Sequence, residues 1–235
     1  MSITDQDRRI AGRFAAFGAG GGEPYARALR ENASDTLVLH ETGDADPSSG
    51  IEMDFAKWNA DADATDLSLL RAVLGPVLDI GCGPGRMVRA AMDLGLEVLG
   101  LDVSPVAVEM ARESGLPVIE GSVFDSIPLE GRWQTALLVD GNIGIGGDVP
   151  AMLRRCREIL LPGGEIVVEV HEDAKRDHTY TGTLVDSSGA ESAVFPWAEV
   201  GLDRLIEMAG PERLVPTQSW VLDGRTFCRL AKSGG

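Results

Sequence analysis

Cysteine is scarce in this chain, and long apolar segments are missing. The 235 residues include three cysteines, Cys82, Cys156 and Cys228, which are odd in number and widely spaced. They match neither a disulfide framework nor a zinc-binding pattern, so we expect a reducing, cytoplasmic setting. No apolar run approaches the roughly 20 residues that a bilayer-spanning helix needs. The first residues carry charges instead of the apolar core of a secretory signal, so we expect neither a membrane span nor export.

Basic residues are few relative to acidic ones. Lys and Arg number 21 against 37 Asp and Glu, which leaves a formal net charge of −16. Such a charge repels phosphate polymers and anionic membrane surfaces. We therefore expect a small-molecule partner, with no nucleic acid and no membrane, and a monomer or homodimer. With 44% apolar and 25% charged residues, the composition is that of an ordinary globular protein. The length suits one large domain, with or without an appendage.

The first 54 residues differ in pattern from the rest of the chain. Thr4–Phe17 has the apolar spacing of an amphipathic helix. Pro24 is placed to begin a second short helix that ends near Asn32. Thr36–His40 is a short run typical of a β-strand. We interpret residues 1–54 as a helical N-terminal extension or lid, and residues 55–235 as the main domain.

From Phe55 onward, apolar runs typical of strands alternate with helical patterns. Strands that alternate with helices over short connections indicate βαβ units and a parallel sheet. Residues 172–198 are a looser, polar insert on the substrate side, in which Thr179–Val185 and Glu191–Phe195 predict a hairpin. Leu214–Leu222 and Arg225–Leu230, joined around Asp223-Gly224, predict a closing antiparallel hairpin. The predicted parallel strands are Val77–Ile80, Val98–Leu101, Pro117–Ile119, Thr135–Val139 and Glu165–Val170.

The segment V-L-D-I-G-C-G-P-G-R, residues 77–86, carries the strongest functional signal. It predicts a buried strand, a glycine-rich turn and the start of a helix, with backbone amides free to face a polar ligand. Asp102 ends the next strand, 21 residues after Gly81. An acid at about that distance accepts hydrogen bonds from the ribose of an adenosine cofactor. The alternative is that Asp102 only caps the helix that follows it.

The glycine spacing distinguishes between adenosine cofactors. Dinucleotide sites have the pattern G-x-G-x-x-G, whereas here the pattern is G-x-G-x-G, with Asp79 two residues before the first glycine. This resembles motif I of the class I S-adenosylmethionine-dependent methyltransferases. Four further segments resemble later motifs of that superfamily in the same order: L-G-L-D-V-S-P (99–105), E-G-S-V-F-D-S-I-P (120–128), A-L-L-V-D-G-N (136–142) and R-E-I-L-L-P-G-G-E (157–165).

The resemblance implies a fold and a set of cofactor-binding residues. The fold would be α/β: a Rossmann-like doubly wound sheet, mostly parallel with a C-terminal antiparallel hairpin and a helical N-terminal extension. Many relatives carry an acid where this chain has Ser122, and Asp125 could substitute for it. The implied contacts are the backbone of Gly81, Cys82 and Gly83 under the methionine part, Asp79 ordering that end, Asp102 on the ribose, Val103 on the adenine, Ser122 and Val123 at the adenine edge, and Asp140 near the methionine end or the substrate.

The implied function is transfer of a methyl group from S-adenosyl-L-methionine to an oxygen, nitrogen or carbon atom of a small molecule, with S-adenosyl-L-homocysteine as the product. Two alternatives remain open, a non-catalytic protein that binds either nucleoside and a protein methyltransferase. The fourth segment has no N-P-P-Y-type signature, which disfavours methylation of a nucleobase or an amide nitrogen. Methyl transfer depends mainly on positioning, so the chemistry needs no metal, and none is expected.

Candidate acceptor-side residues follow the ends of the predicted strands. His171 is the candidate general base, which is needed only for a hydroxyl or protonated amine; the alternative is a structural histidine. Asn142, His178, Tyr180 and Trp58 are the candidate substrate residues. For the glycine-rich run from Asp140 to Asp148, two interpretations remain open. It is either a flexible connection that ends in a helix cap, or a floor that the cofactor and acceptor approach closely.

Overall fold

The computed structural model describes residues 15–19, 23–31, 37–43, 50–53 and 55–233. The predicted helix over Thr4–Phe17 lies largely outside these residues. The helices are α1 (Pro24–Glu31), α2 (Phe55–Asn59), α3 (Ala64–Arg71), α4 (Arg86–Asp93), α5 (Pro105–Glu113), α6 (Val149–Ile159) and α7 (Leu202–Ala209). The strands are β1 (Leu37–Glu41), β2 (Ile51–Met53), β3 (Val77–Ile80), β4 (Val98–Asp102), β5 (Val118–Glu120), β6 (Trp133–Leu138), β7 (Leu160–Val170), β8 (Asp177–Val185), β9 (Phe195–Val200), β10 (Leu214–Leu222) and β11 (Arg225–Lys232).

The main sheet has seven strands in the order β10-β11-β7-β6-β3-β4-β5. The last five pair in parallel, and β11 lies antiparallel between β7 and β10. The interior strand β3 is buried along its whole length, as expected for a strand covered on both faces. Helices α3 to α5 cover one face and α6 and α7 the other. The predicted doubly wound sheet with its closing hairpin is therefore confirmed.

A second, smaller sheet has the order β2-β1-β8-β9 and is antiparallel throughout. It joins parts of the chain that the sequence analysis treated separately. Strand β1 belongs to the N-terminal extension, β8 belongs to the insert, and Leu39 lies opposite Leu184 between them. The extension thus contributes two strands as well as helix α1, which begins at Pro24 as predicted. The division of the chain at residue 54 stays a prediction.

The predicted hairpin in the insert is correct for its first strand and wrong for its second, since Glu191–Phe195 shares only Phe195 with the observed strand. Strand β9 begins at Phe195 and not at Glu191, which forms only an isolated bridge to Val185. A polar turn takes up the residues between, because Asp186 accepts hydrogen bonds from the backbone N–H groups of Ser188 and Ala190. These local bonds satisfy backbone N–H groups that would otherwise pair between the two strands of the predicted hairpin.

Apolar packing holds the small sheet against the main fold. Tyr25, Leu39, Leu184 and Phe195 form one buried cluster with Val106 of α5 and other residues of the small sheet. This cluster places the small sheet and α1 beside the helix that follows β4. Within the described residues, no helix has the length and apolar character needed to cross a bilayer.

Candidate active site

A cavity of about 880 Å³ opens where β3, β4 and β6 end. The carboxyl ends of parallel strands are where open α/β sheets bind ligands. One half of the cavity, which we call the nucleoside half, is formed by residues that follow β3, β4 and β5. The other half is formed by the remaining lining residues, which include four aromatic side chains. The predicted site residues that line the cavity are Asp79, Gly81, Cys82, Gly83, Asp102, Val103, Ser122, Val123, Asp140, Asn142 and Trp58.

The glycine turn, Gly81–Gly85, is anchored to the neighbouring strand. The backbone N–H groups of Gly81 and Cys82 both donate to the carbonyl of Leu101, at 2.8 and 3.1 Å. Gly81 has a φ of 72°, in the left-handed region that favours glycine. A Cβ at Gly81 would also lie 2.8 Å from Nδ2 of Asn142. Both the conformation and the close approach therefore require glycine here.

Asp102 braces this turn from the end of β4. Its Oδ2 accepts the N–H of Gly83 and its Oδ1 accepts the N–H of Ser104, both at 2.8 Å. Burial raises the pKa of Asp102, while these N–H donors oppose the rise. The cap of α5 is Ser104, whose hydroxyl accepts the N–H of Ala107 at 3.3 Å. Asp102 is therefore not the cap of that helix, and its contact with a ribose stays a prediction.

Asp79 is a buried acid with no hydrogen-bond partner among the described residues. It is 1% exposed, and neither carboxylate oxygen is hydrogen-bonded there. Burial, followed by the negative charges of Asp140 and Asp102, raises the pKa of Asp79 to about 8. An unsatisfied buried carboxyl is costly and is suited to a ligand that brings a positive charge or hydrogen-bond donors. The α-ammonium of a bound amino acid is such a group, so the site fits the methionine end of S-adenosylmethionine.

Asp140, in contrast, is already paired with cations. Lys57 donates to its Oδ1 at 2.7 Å, and Arg86 forms an ion pair with its Oδ2. Burial would raise the pKa of Asp140, but Arg86, Lys57 and Arg225 outweigh burial and hold it below its usual value. The carboxylate therefore serves an ion-pair network, and direct contact with the cofactor or the substrate stays a prediction.

The network continues away from the cavity into the closing hairpin. Arg225 of β11 holds Glu169 with two hydrogen bonds of 2.8 and 2.7 Å. It also donates to the fully buried Asp66 at 2.8 Å, and Arg86 pairs with the same carboxylate. Sequence reasoning missed this network. Arg86 directly follows the glycine turn, but no local signal indicates that Asp66 and the distant Arg225 share its network.

Arg155 of α6 is a second residue that sequence reasoning missed. Its Nε donates to the carbonyl of Val123 and its Nη2 to the carbonyl of Asp125, both at 2.6 Å. Within the same loop, the hydroxyl of Ser122 accepts the N–H of Phe124 at 3.2 Å. Arg155 thus fixes the predicted adenine edge of the cavity, although its position on α6 gives no hint of this role.

Four aromatic side chains, Phe17, Tyr25, Trp58 and Trp197, line the cavity and form its aromatic wall. The ring of Phe17 lies 5.2 Å from that of Tyr25, 6.4 Å from Trp58 and 5.5 Å from Trp197, measured between ring centroids. These distances are typical of favourable aromatic pairs. Trp58 was predicted for the substrate side. The other three come from the extension and the small sheet.

The glycine-rich run after β6 is a packing surface for β9. A Cβ at Gly144 would collide with the carbonyl oxygen of Ala198, and one at Gly147 would lie 3.0 Å from Cβ of Pro196. The predicted cap is present, since Asp148 accepts the N–H of Ala151 at 2.9 Å. The glycines therefore let the small sheet approach the main sheet closely, an explanation that neither earlier interpretation included.

Asn142 is held by the strand beside it. Its Nδ2 donates to the carbonyls of Ile80 and Gly81, at 2.8 and 3.0 Å. It lines the cavity and fixes the first residue of the glycine turn.

Three predicted residues do not line the cavity. The Nδ1 of His171 accepts the backbone N–H of Asp173 at 3.0 Å. The backbone N–H of His171 donates to the carbonyl of Val200 at 2.9 Å. On β8, His178 pairs with Glu41 at 2.9 Å and the hydroxyl of Tyr180 donates to Glu199 at 3.1 Å. His178 and Tyr180 are therefore hydrogen-bonded to residues of the small sheet. The structure does not bring these two side chains or His171 together with the cofactor-side residues. Their predicted roles stay predictions.

No group of three or more His, Cys, Asp or Glu side chains within the described ranges is arranged to hold a metal ion. The described wall of the cavity also includes no histidine.

Residues 77–164 match a family model described as a methyltransferase domain. The chain is 27% identical over 143 residues to the ubiquinone biosynthesis O-methyltransferase of Chelativorans sp., an alignment that covers 59% of this chain and 54% of that protein. The chain thus spans about half the length of the curated relatives it matches.

Two solved structures share the fold. One is a methyltransferase from Bacteroides fragilis in complex with S-adenosyl-L-homocysteine, with a TM-score of 0.71, 17% identity and 97% of each chain covered. The other is the 1,6-didemethyltoxoflavin-N1-methyltransferase of Burkholderia thailandensis, with a TM-score of 0.55, 18% identity and 73% and 78% of the two chains covered. The resemblance drawn from the five segments is therefore confirmed: residues 77–164 match a methyltransferase-domain model, and the chain has the fold of these solved methyltransferase structures.

Proposed function

We propose that this protein transfers a methyl group from S-adenosyl-L-methionine to an oxygen, nitrogen or carbon atom of a small molecule and releases S-adenosyl-L-homocysteine. One juxtaposition supports this above all. The unpartnered carboxyl of Asp79 and the braced glycine turn lie in the same cavity as the aromatic wall. The same cavity could therefore hold the nucleoside and a second molecule next to each other.

The residues of the nucleoside half each fit one part of the cofactor. Asp79 would receive the α-ammonium group, and the backbone of Gly81, Cys82 and Gly83 would face the methionine part. Asp102, which already accepts two backbone N–H groups, retains lone pairs for the ribose hydroxyls. Val103 and Val123 offer apolar surface to the adenine, and Ser122 and Asp125 offer polar atoms at its edge. Asp140, held by its ion pairs, would lie near the methionine end.

The bound cofactor would supply an electrophilic methyl group and a neutral thioether leaving group. The chain would supply position and exclusion of water. The aromatic wall gives the cavity apolar surface. The ion pairs of Asp140 balance its charge, so that Asp79 rather than Asp140 would bind the ammonium group. Holding two reactants in line can contribute about 7–11 kcal/mol at best, so methyl transfer does not require a nucleophilic side chain or a metal.

The relatives support a small-molecule acceptor. The Chelativorans protein is an O-methyltransferase of ubiquinone biosynthesis, and the Burkholderia protein acts on 1,6-didemethyltoxoflavin. Three free, buried cysteines are consistent with a reducing compartment, so we keep the cytoplasm as the proposed location.

Calorimetry and methyl transfer together test this function. We expect S-adenosylhomocysteine to bind with micromolar or tighter affinity and NAD not to bind. We expect radiolabelled methyl groups to pass from S-adenosylmethionine into a low-molecular-weight metabolite extract. No binding of S-adenosylhomocysteine would contradict the cofactor assignment. Binding without transfer into any extract would instead favour a non-catalytic sensor.

A further inference from the structure

We infer, on the basis of the proposed function, that the methyl acceptor is an uncharged, planar aromatic or heteroaromatic molecule that carries a hydroxyl or N–H group. Three independent features of the cavity support this class. They are the composition of the aromatic wall, the pairing of every arginine on the described wall, and the fixed orientation of Asn142.

The aromatic wall favours flat ligands. Phe17, Tyr25, Trp58 and Trp197 come from four separate segments, and all four line the cavity. Phe195 packs behind two of them, 5.1 Å from Phe17 and 6.1 Å from Trp197 between centroids, which holds the rings in place. Ring faces and edges arranged in this way stack or pack edge-on against another aromatic ring. An aliphatic molecule would forgo that contribution.

The charges of the cavity disfavour an anionic acceptor. Three arginines belong to the described wall, and each is already engaged by acids. Arg86 pairs with Asp66 and Asp140, Arg154 with Glu212, and Arg155 with Glu130. A carboxylate or phosphate on the acceptor would have to break one of these pairs, in a protein of net charge −16.

A cationic acceptor is disfavoured for a different reason. A protonated amine has no lone pair with which to attack the methyl group, so it must first lose its proton. The sulfonium charge of the cofactor would also repel a second cation close by. Aromatic rings can attract cations, which makes this the main alternative for the test.

Asn142 can orient the reacting group. Its Nδ2 is committed to the carbonyls of Ile80 and Gly81, which leaves Oδ1 as the atom that can accept a hydrogen bond from an acceptor O–H or N–H. In the transfer, the acceptor oxygen or nitrogen forms a bond to the methyl carbon as the carbon–sulfur bond breaks. The sulfur keeps that electron pair, and the acceptor proton passes to solvent water.

Matched acceptors test the inference, with initial rates of S-adenosylhomocysteine formation as the readout. One pair compares substituted phenols with the corresponding cyclohexanols. A second compares hydroxybenzoates with their methyl esters, and a third compares phenols with and without an aminomethyl group. We expect kcat/KM to favour the neutral aromatic member of each pair at least tenfold. Better turnover of the saturated, anionic or cationic member would overturn the inference.

Tryptophan variants locate the effect. Trp58→Leu and Trp197→Leu should raise the acceptor KM about tenfold or more, while the affinity for S-adenosylhomocysteine changes less than threefold. Trp220→Leu is the matched control, because Trp220 stacks on Phe227 away from the cavity wall, and it should leave the acceptor KM unchanged. An unchanged KM in both wall variants would refute the inference. Failure of S-adenosylhomocysteine to bind the unmodified protein would instead refute the proposed function beneath it.

Discussion

The two halves of the cavity are built in different ways. The nucleoside half uses residues that follow consecutive strands of one sheet, so that Asp79, Gly81 and Asp102 lie within 24 residues of each other. The aromatic wall uses Phe17 and Trp197, which lie 180 residues apart and meet only because the small sheet packs on the main fold. The comparison suggests that cofactor affinity depends on local geometry, whereas acceptor recognition depends on long-range packing.

The largest expected effect comes from Asp79→Asn, which should weaken S-adenosylhomocysteine binding by about 100-fold or more. The variant replaces the charge that would meet the ligand ammonium with a neutral amide, and ion pairs of this kind contribute about 3–5 kcal/mol when one partner is lost. Calorimetry measures the change. An affinity within threefold of the unmodified protein would show that the ammonium binds elsewhere.

The same variant should become more stable than the unmodified protein as the pH rises. The pKa of Asp79 is raised from 3.8 to about 8, so the folded protein holds a proton that the unfolded chain has released. Its contribution to stability is full below about pH 4 and is lost as the pH rises through about 8. Asn has no proton to lose. The difference in Tm between the two proteins should therefore be small near pH 5 and large near pH 9, and a constant difference would argue against the raised pKa.

How far the sequence could predict these features depends on their range along the chain. The main sheet and the glycine turn were predictable because strand, turn and acid follow each other in order. The small sheet was not, because nothing within β1 or β8 indicates that the two pair. For the same reason Arg86 and Arg155 gave no sign of the acids and carbonyls that they hold. Position after a strand does not put His171 on the described cavity wall, and its role as a base stays a prediction.

Asp102→Ala should produce the next largest effect on the nucleoside half. Loss of charge-assisted hydrogen bonds costs about 1.5–3 kcal/mol, or about a 10- to 150-fold loss of affinity. Because Asp102 also braces Gly83 and Ser104, the glycine turn should exchange its amide protons faster in the variant. Hydrogen exchange and calorimetry with S-adenosylhomocysteine measure both effects. Ser104→Ala, which removes only the helix cap, is the control and should leave affinity nearly unchanged.

Gly144→Ala perturbs the other half. A Cβ there collides with the carbonyl of Ala198, so β9 and Trp197 must shift, at a cost of about 1–3 kcal/mol in the free energy of unfolding. The acceptor KM should rise with little change in cofactor affinity. Gly210→Ala is the matched comparison, because Gly210 has a helical backbone (φ −56°, ψ −53°) and a Cβ there would come no closer than 4.0 Å to the carbonyl oxygen of Glu207. Equal losses of cofactor and acceptor affinity in Gly144→Ala would show that the two halves are coupled.

The smallest effect is expected from His171→Asn. A general base must reach the acceptor proton directly or through one water, and His171 lies off the cavity wall with its Nδ1 bonded to the N–H of Asp173. Asn can accept the same hydrogen bond through its side-chain oxygen, so we expect kcat/KM to stay within about twofold and its pH profile to keep its shape. If His171 acted as the base, loss of general base catalysis would lower kcat by about 10²-fold or more. That result would mean that the segment after β7 moves to the acceptor during turnover and forms part of the active site only then.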